Sequence, residues 1–127
     1  MQIGIRLHDT KPVSLEERLQ IVKEQGFTCA HVALSKVIKE FPVDNGALTP
    51  GLAMYLKKLF WDKGIDLAVF GCYLNLAHPD PVQLSKIQNT YLAHIRFASI
   101  LGCGVVGTET GAPNAEYKYE PACRSEE

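Results

Sequence analysis

Residues 67–74 read LAVFGCYL, a continuous apolar run with the length of one β-strand. Asp80-Pro81 follows and is typical of a helix start, because aspartate caps the first turn and proline is preorganised for it. Apolar residues then recur at helical spacing until Gly102, and this stripe comprises Leu84, Ile87, Tyr91, Ile95 and Ala98. A second apolar run, VVGT, occupies residues 105–108. The order strand, helix, strand predicts a right-handed crossover between two parallel strands.

The same alternation extends towards the N-terminus. Two further apolar runs, IGIRL at residues 3–7 and CAHVAL at residues 29–34, predict two more strands. The helix between them begins at Ser14, three residues before Glu17, which is the spacing of a capping box, and it ends at Gly26. Another helix begins at Thr49-Pro50 and ends at Gly64. The sequence therefore predicts four strands alternating with three helices.

This pattern predicts an α/β protein with a parallel sheet, since near-continuous apolar strands suit a sheet that is covered on both faces. No glycine-rich phosphate-binding loop follows any strand, which argues against a nucleotide-binding open sheet and favours a barrel. A (β/α)8 barrel needs roughly 250 residues, and this chain has 127. We predict one partial domain over residues 1–127, the first half of a TIM (β/α)8 barrel. Residues 112–127 are expected to form a loop and, at SEE, the start of a fourth helix.

Composition limits the function classes. Hydrophobic residues make up 46% of the chain and charged residues 21%, as in ordinary soluble domains, and the net charge is −1. Basic residues are spread along the chain, so nothing indicates a surface for nucleic acid or membrane, and no apolar run is long enough to span a bilayer. The cysteines form no C-x-x-C pair and are expected to be reduced, mostly buried residues of a cytoplasmic protein. They are Cys29, Cys72, Cys103 and Cys123.

Polar residues at the carboxyl ends of the strands are the candidate site, because ligands of parallel β/α proteins bind there. His8 ends the first predicted strand, and it could bind substrate or act as an acid or base, since its unperturbed pKa lies near neutrality. It could equally hold a neighbouring loop. Arg6 lies inside the same strand. We expect it to be either a buried cation for an anionic substrate or the partner of a structural acid.

Two more candidates follow the third and fourth strands. Asn75 could bind a sugar hydroxyl, although asparagine is also a common loop brace. Glu109 could bind a metal ion, take a proton or hydrogen-bond sugar hydroxyls, and the alternative is a carboxylate that anchors a loop. Thr108 and Thr110 could support it. The predicted substrate-binding residues are His8, Asn75, Glu109 and Arg6.

The other histidines are expected to be structural. His31 lies within the second strand, where a satisfied core histidine is more common than a ligand. His78 is expected to shape the entrance to the following helix, and His94, within that helix, to pack or face solvent. A metal site needs three or four protein ligands. The chain offers one or two, Glu109 being the predicted one, and it has neither an H-E-x-x-H zinc motif nor a Ser-His-Asp arrangement.

Four segments together resemble the xylose-isomerase-like TIM barrel superfamily, which contains sugar-phosphate isomerases and epimerases and the zinc apurinic endonucleases. The segments are IGIRLH at residues 3–8, YLNLAHP at 73–79, LGC at 101–103 and TETG at 108–111. The resemblance covers residues 1 to about 124 and only the first four strands of eight.

Within that superfamily, Phe70 and Glu109 favour the sugar isomerases. The endonucleases have a zinc-binding histidine three residues before the tyrosine-leucine stretch, where this chain has Phe70, and another at the position of Glu109. The resemblance therefore implies proton transfer at a carbon next to a carbonyl, with a divalent metal (Mn, Mg, Co or Zn) polarising the oxygen. It also implies that the acidic bases and most metal ligands lie beyond residue 127. The catalytic residues are accordingly unknown, and we expect the chain alone to be inactive and to bind no metal by itself.

Two other functions stay open. A non-catalytic half-barrel could self-associate as a homodimer, because four strands cannot close and exposed sheet edges invite pairing. It could also bind a small sugar without catalysis. DNA repair of the apurinic-endonuclease type is the least favoured. The expected partners are a small sugar or sugar phosphate and a second copy of the chain, with no membrane and no nucleic acid.

Overall fold

A computed structural model describes residues 1–116 and contains one sheet of four parallel strands in the order β1-β2-β3-β4. The strands alternate with helices, as predicted for half of a TIM barrel. The elements are β1 (Gly4–Arg6), a 3-10 turn (Leu7–Asp9), α1 (Leu15–Glu24), β2 (Cys29–Val32), α2 (Leu34–Val37), α3 (Pro50–Lys63), β3 (Asp66–Gly71), α4 (Pro81–Leu101) and β4 (Val106–Gly107). The predicted helix start at residues 125–127 lies outside the described residues, as does Cys123.

The three predicted helix starts are confirmed. Ser14 and Glu17 form the capping box, in which each side chain accepts a hydrogen bond from the other residue's backbone N–H, at 3.3 and 3.2 Å. Thr49 accepts from the N–H of Leu52 at 3.2 Å, and Asp80 accepts from the N–H of Val82 at 2.8 Å. Gly64 and Gly102 end α3 and α4 with φ of 67° and 84°, a left-handed conformation that favours glycine.

The strands are shorter than predicted at their carboxyl ends. β2 ends at Val32, and Leu34 begins α2, a one-turn helix that was not predicted. β1 likewise ends at Arg6, where a 3-10 turn takes over. The apolar pattern continues because Leu7 and Leu34 stay buried after the strand hydrogen bonding has ended. The apolar sequence pattern indicates which residues are buried, not which form strand hydrogen bonds, and it therefore overestimates the length of these strands.

The two faces of the sheet differ. Its outer face packs against the helices and supplies residues to a core that also contains Leu19, Leu56 and Phe97. The outer-face residues are Ile5, Ala30, Val32, Leu67, Phe70 and Val106. Because strand side chains alternate, the residues between them form the opposite, inner face, which would line the interior of a closed barrel.

A bulge in β3 determines which residues of that strand lie on the same face of the sheet. In β2 and β3 the pairs are Ala30 with Leu67 and His31 with Val69, so Ala68 is an extra residue in β3. A bulge of this kind shifts the alternation of every residue after it. Phe70 therefore lies on the outer face, opposite Val32, where it is fully buried.

The apolar face of α4 differs from the prediction. Tyr91 and Ala98 are buried as expected, but Phe97 and Leu101 complete the buried stripe, and Ile95 is 52% exposed. No helix within residues 1–116 has both the length and the apolar character needed to cross a bilayer. The three cysteines in the described part of the chain, Cys29, Cys72 and Cys103, are free and buried as predicted.

Candidate functional site

Polar side chains from β1, β2 and β3 meet at the carboxyl end of the inner face. Arg6 ends β1 and pairs in register with His31 of β2. Tyr73 follows the end of β3 by two residues, and His8 lies in the 3-10 turn after β1. We call these residues, with Asp9, the strand-end cluster. Three consecutive parallel strands thus bring to one place side chains that are up to 67 positions apart in the sequence (Arg6 to Tyr73).

His31 is the centre of the cluster. Its Nε2 lies 2.5 Å from the Tyr73 hydroxyl, a short hydrogen bond. The rings of His31 and Tyr73 are 5.7 Å apart, and those of His31 and His8 are 5.5 Å apart, both in edge-to-face orientation. The prediction that His31 is a satisfied core histidine needs correction. Its hydrogen bond is satisfied, but the ring lies half-buried on the inner face beside His8, because Ala30 and Val32 take the core-facing positions.

The close approach of these rings requires glycine at position 71. A Cβ atom at Gly71 would lie 2.6 Å from His31 Nε2 and 2.9 Å from Tyr73 Cε2, well inside contact distance. The missing side chain at Gly71 therefore leaves room on the inner face for the His31–Tyr73 pair. Gly71 appears in the sequence only as part of an apolar strand, so this role could not be predicted.

Both histidines are held neutral. Burial lowers the pKa of His8, and the charges of Arg6, Lys36 and Arg18 lower it further against the opposing effect of Asp9. Burial also lowers the pKa of His31, with His8 and Arg6 adding to the effect. Burial raises the pKa of Tyr73, so its hydroxyl stays protonated. Near neutral pH the cluster therefore offers hydrogen-bond donors and acceptors of uncharged imidazole and phenol.

Arg6 is not the buried cation that one prediction described. Its side chain is 59% exposed, and Nε donates to Asp9 Oδ2 at 2.7 Å. The other alternative, in which Arg6 is the partner of an acid, is therefore the one present. The pairing raises the pKa of Arg6 and lowers that of Asp9. An exposed ion pair contributes little to stability. The guanidinium nevertheless lies on the inner face beside His31.

Asn75 braces two loops. Its amide nitrogen donates to the carbonyls of Ala112 and Asn114 at 2.8 and 3.1 Å. Its amide oxygen accepts from the N–H groups of Ala77 and Ala112 at 3.1 and 2.9 Å. Both amide hydrogens and both acceptor positions are used, and the residue is 7% exposed. The loop-brace alternative is thus what the structure has, and no donor remains for a sugar.

Glu109 follows β4 and is exposed. Burial is the main cause that raises the pKa of Tyr73, and the charge of Glu109 adds to it. The preceding Thr108 is fixed by a hydrogen bond with the buried Tyr91 hydroxyl, which also donates to the carbonyl of Cys72 at 2.5 Å. Tyr91 therefore ties the ends of β3 and β4 together and sets the backbone from which Glu109 projects.

The remaining histidines have structural contacts. His78 Nδ1 accepts from the N–H of Asp80 at 3.1 Å, which shapes the entrance to α4, and His94 stacks on Phe70 with ring centroids 5.3 Å apart. Residues 1–116 contain no group of three or more histidine, cysteine, aspartate or glutamate side chains that could hold a metal ion. Glu109, the predicted metal ligand, is therefore not part of such a group within the described residues.

No protein-family model and no curated protein matches this chain. Solved structures do match it. A xylose isomerase-like TIM barrel/4-hydroxyphenylpyruvate dioxygenase fusion protein superposes on 97% of the chain with a TM-score of 0.68 and 15% identity. D-Psicose 3-epimerase of Clostridium cellulolyticum H10, solved with D-tagatose, superposes on 85% with a TM-score of 0.66 and 19% identity. The chain therefore has the fold of half a TIM barrel.

AsbF of Bacillus anthracis, a probable 3-DHS dehydratase, has the same fold, with a TM-score of 0.59 and 14% identity over 85% of the chain. The matched regions cover 18%, 37% and 38% of the lengths of the fusion protein, the epimerase and AsbF. At these identities the likeness establishes the fold, half of a TIM barrel.

Proposed function

We propose that this chain forms the substrate-binding N-terminal half of a sugar or sugar-phosphate isomerase or epimerase, an enzyme that transfers a proton at a carbon next to a carbonyl. The observation that carries the proposal is the strand-end cluster, in which His8, His31 and Tyr73 converge at the end of the sheet where ligands of TIM barrels bind. The fold shared with D-psicose 3-epimerase supports it.

The chemistry of the cluster suits a polyhydroxylated ligand. A neutral imidazole offers one N–H donor and one acceptor, and a phenol offers both on one oxygen, which matches the alternating donors and acceptors of sugar hydroxyls. His8 Nδ1 is buried and has no hydrogen-bond partner in the described residues. A buried polar atom without a partner is costly, so a ligand hydroxyl that reached it would satisfy an atom that otherwise has no hydrogen bond.

In this proposal the strand-end cluster binds the ligand and does not catalyse its reaction. Its one carboxylate, Asp9, is paired with Arg6, and the described residues supply no metal site. The proton-abstracting carboxylates and most ligands of the expected divalent metal would come from the second half of a barrel. The role proposed for His8, His31 and Tyr73 is to bind the sugar and exclude water from one side of it.

The test is an NMR titration of the 127-residue protein with D-fructose and D-fructose 6-phosphate in D2O with Mg²⁺. We expect saturable shifts of the His8 and His31 side-chain signals, and no exchange of the C–H proton next to the carbonyl above the buffer rate. His31→Ala should abolish the shifts. His78→Ala is the matched control, since the His78 side chain accepts its hydrogen bond from Asp80 at the start of α4.

Two results would contradict the proposal. Unchanged affinity in His31→Ala would exclude the strand-end cluster as the site. Proton exchange at enzyme-like rates by the 127-residue protein would contradict the division of binding and catalysis between two half-barrels.

A second candidate function, self-association as a homodimer, has its own supporting observation. Apolar side chains lie exposed beside the β4 edge of the described sheet: Leu92 at 49%, Ile95 at 52% and Val105 at 51%. In a parallel sheet, β4 of one copy can pair with β1 of another, and two copies would provide the eight strands of a barrel.

Light scattering at micromolar concentration tests this candidate. We expect twice the chain mass of 14.0 kDa. Val105→Lys should shift the protein to monomer, because a lysine at a strand edge opposes pairing. Val82→Lys, at an exposed position in the first turn of α4, should not. A stable wild-type monomer would exclude the homodimer.

A further inference from the structure

A cavity of about 350 Å3 lies between the first turn of α1, the loop after α2 and the first two turns of α3. We call it the α1–α3 cavity. Its apolar lining includes Leu15 and Ile38, which are each only 7% exposed. None of its lining residues belongs to the strand-end cluster, so the two sites are separate. Small-molecule sites in proteins have volumes of about 300–1,000 Å3, and this cavity falls within that range.

Two of the lining residues are aromatic and exposed. Phe41, in the loop after α2, is 42% exposed, and Tyr55, on α3, is 52% exposed. Aromatic rings give the apolar part of a ligand a large contact surface, and their faces attract a cation. The cavity therefore combines a buried apolar lining with exposed rings.

Two carboxylates line the same cavity, and hydrogen bonds orient both of them. Glu16 Oε1 accepts from the Tyr55 hydroxyl at 2.8 Å, and Glu40 Oε2 accepts from the backbone N–H of Lys39 at 2.8 Å. The N–H groups of Glu40 itself and of Lys39 lower the pKa of the Glu40 carboxyl. Within residues 1–116 neither carboxylate forms an ion pair.

The charge of the cavity is negative. The nearest cation in sequence, Lys39, does not line it, and its ammonium donates to the carbonyl of Ser35 at 3.2 Å. The start of α1 contributes a positive partial charge of roughly half an elementary charge. Two carboxylates outweigh that contribution, so the cavity favours a cation over an anion.

We propose that the α1–α3 cavity binds a small organic amine in its protonated form, an ammonium group on an apolar body. The ammonium donates to Glu16 and Glu40, since charge-assisted hydrogen bonds to carboxylates are the strong ones. The apolar body packs against Phe41, Tyr55 and the buried lining. This site does not depend on the proposed function, because the two sites share no residue.

An NMR titration of the 127-residue protein with three probes of similar shape tests the proposal: 2-phenylethylamine, 2-phenylethanol and 3-phenylpropionate. The probes share a ring and a short chain, and at pH 7 they are positive, neutral and negative. We expect the amine to give saturable shifts of the Phe41 and Tyr55 signals and to bind about tenfold more tightly than the alcohol. The propionate should bind most weakly.

Substitutions separate the two parts of the site. Glu16→Gln and Glu40→Gln should each remove most of the preference for the amine over the alcohol, and glutamine keeps an oxygen that accepts the present hydrogen bond. Phe41→Ala should weaken the amine and the alcohol alike, because it removes surface that contacts their shared ring. Glu24→Gln, the same change at the other end of α1, is the matched control and should leave all affinities unchanged.

Measurements on the wild-type protein make the test independent of these variants. Raising NaCl should weaken binding of the amine and leave the alcohol unaffected, because exposed charges are screened by salt. Equal affinity for the amine and the alcohol would overturn the proposal, as would tighter binding of the propionate. Binding of tetralysine but not of the amine would also overturn it and assign the cavity to a basic segment of a partner protein. His31→Ala should bind the amine as the wild type does, so the amine site and the proposed sugar site succeed or fail separately.

Discussion

Replacing Asn75 with alanine removes four hydrogen bonds, of which three join the loop after β3 to the loop after β4 and one lies within the loop after β3. The substitution separates the two roles considered for this residue. A brace lost from the fold lowers stability whether or not a ligand is present. A lost sugar contact lowers affinity and leaves the fold unchanged.

The magnitude follows from the burial of the amide. A neutral hydrogen bond contributes about 0.5–1.5 kcal/mol net, and more is lost when its partner stays buried without replacement. Asn75 is 7% exposed, but its partner Ala77 lies at the surface, where water can replace part of the loss. We expect Asn75→Ala to lower the free energy of unfolding by roughly 2–4 kcal/mol, which corresponds to a fall in Tm of about 10 °C for a domain of this size.

Urea unfolding followed by circular dichroism measures the change. Asn45→Ala is the control, since Asn45 lies exposed in a loop and the variant should stay within about 0.5 kcal/mol of the wild type. Asn75→Asp adds a pH test, because the introduced carboxylate would face the two carbonyls that the amide now contacts. That contact raises the pKa of the introduced carboxyl, so its destabilisation should be largest at neutral pH and shrink as pH falls. An unfolding free energy of Asn75→Ala equal to that of the wild type would refute the brace.

Three further predictions concern positions around the site. Gly71→Ala should destabilise the protein by roughly 1–3 kcal/mol, visible as a lower urea midpoint, because its Cβ would press on His31 and Tyr73; an unchanged midpoint would show that the pair has room. Asp80→Ala should cost about 1 kcal/mol through the lost cap of α4, measured in the same assay, and no loss would mean that the cap is dispensable. Burial raises the pKa of Cys72 to about 11, so at pH 8 its thiol should react with iodoacetamide far more slowly than in urea, and equal rates would contradict its burial.

Local chemistry explains what could be predicted from the sequence. The caps at Ser14, Thr49 and Asp80 depend on residues within one helical turn, and each formed as predicted. The parallel order of the strands followed from their alternation with these helices. Such features need no knowledge of distant contacts.

The site was harder to predict because it depends on long-range geometry. His31 and Tyr73 are 42 positions apart, and their hydrogen bond requires both the register of β2 against β3 and a glycine at position 71. Asn75 was assigned to the substrate because it follows a strand, yet its partners lie in a loop 37 and 39 positions later. Position at a strand end therefore indicated the right region, but not which side chains in it are free to bind.

The extra residue at Ala68 has a consequence for how this strand can vary. Leu67, before the extra residue, lies on the same face of the sheet as its partner Ala30. After the extra residue the alternation of side chains is shifted by one position, so Phe70 points to the helices and Tyr73 to the opposite side. Losing one residue from the first half of β3 while the strand kept its starting register would turn Phe70 towards solvent and remove the tyrosine from His31. A single-residue deletion here would thus cost core and site together, whereas point substitutions at Ala68 itself, which is exposed, should be tolerated. The number of residues in β3, more than their identity, therefore determines both the packing of the core at Phe70 and the position of Tyr73 at the strand-end cluster.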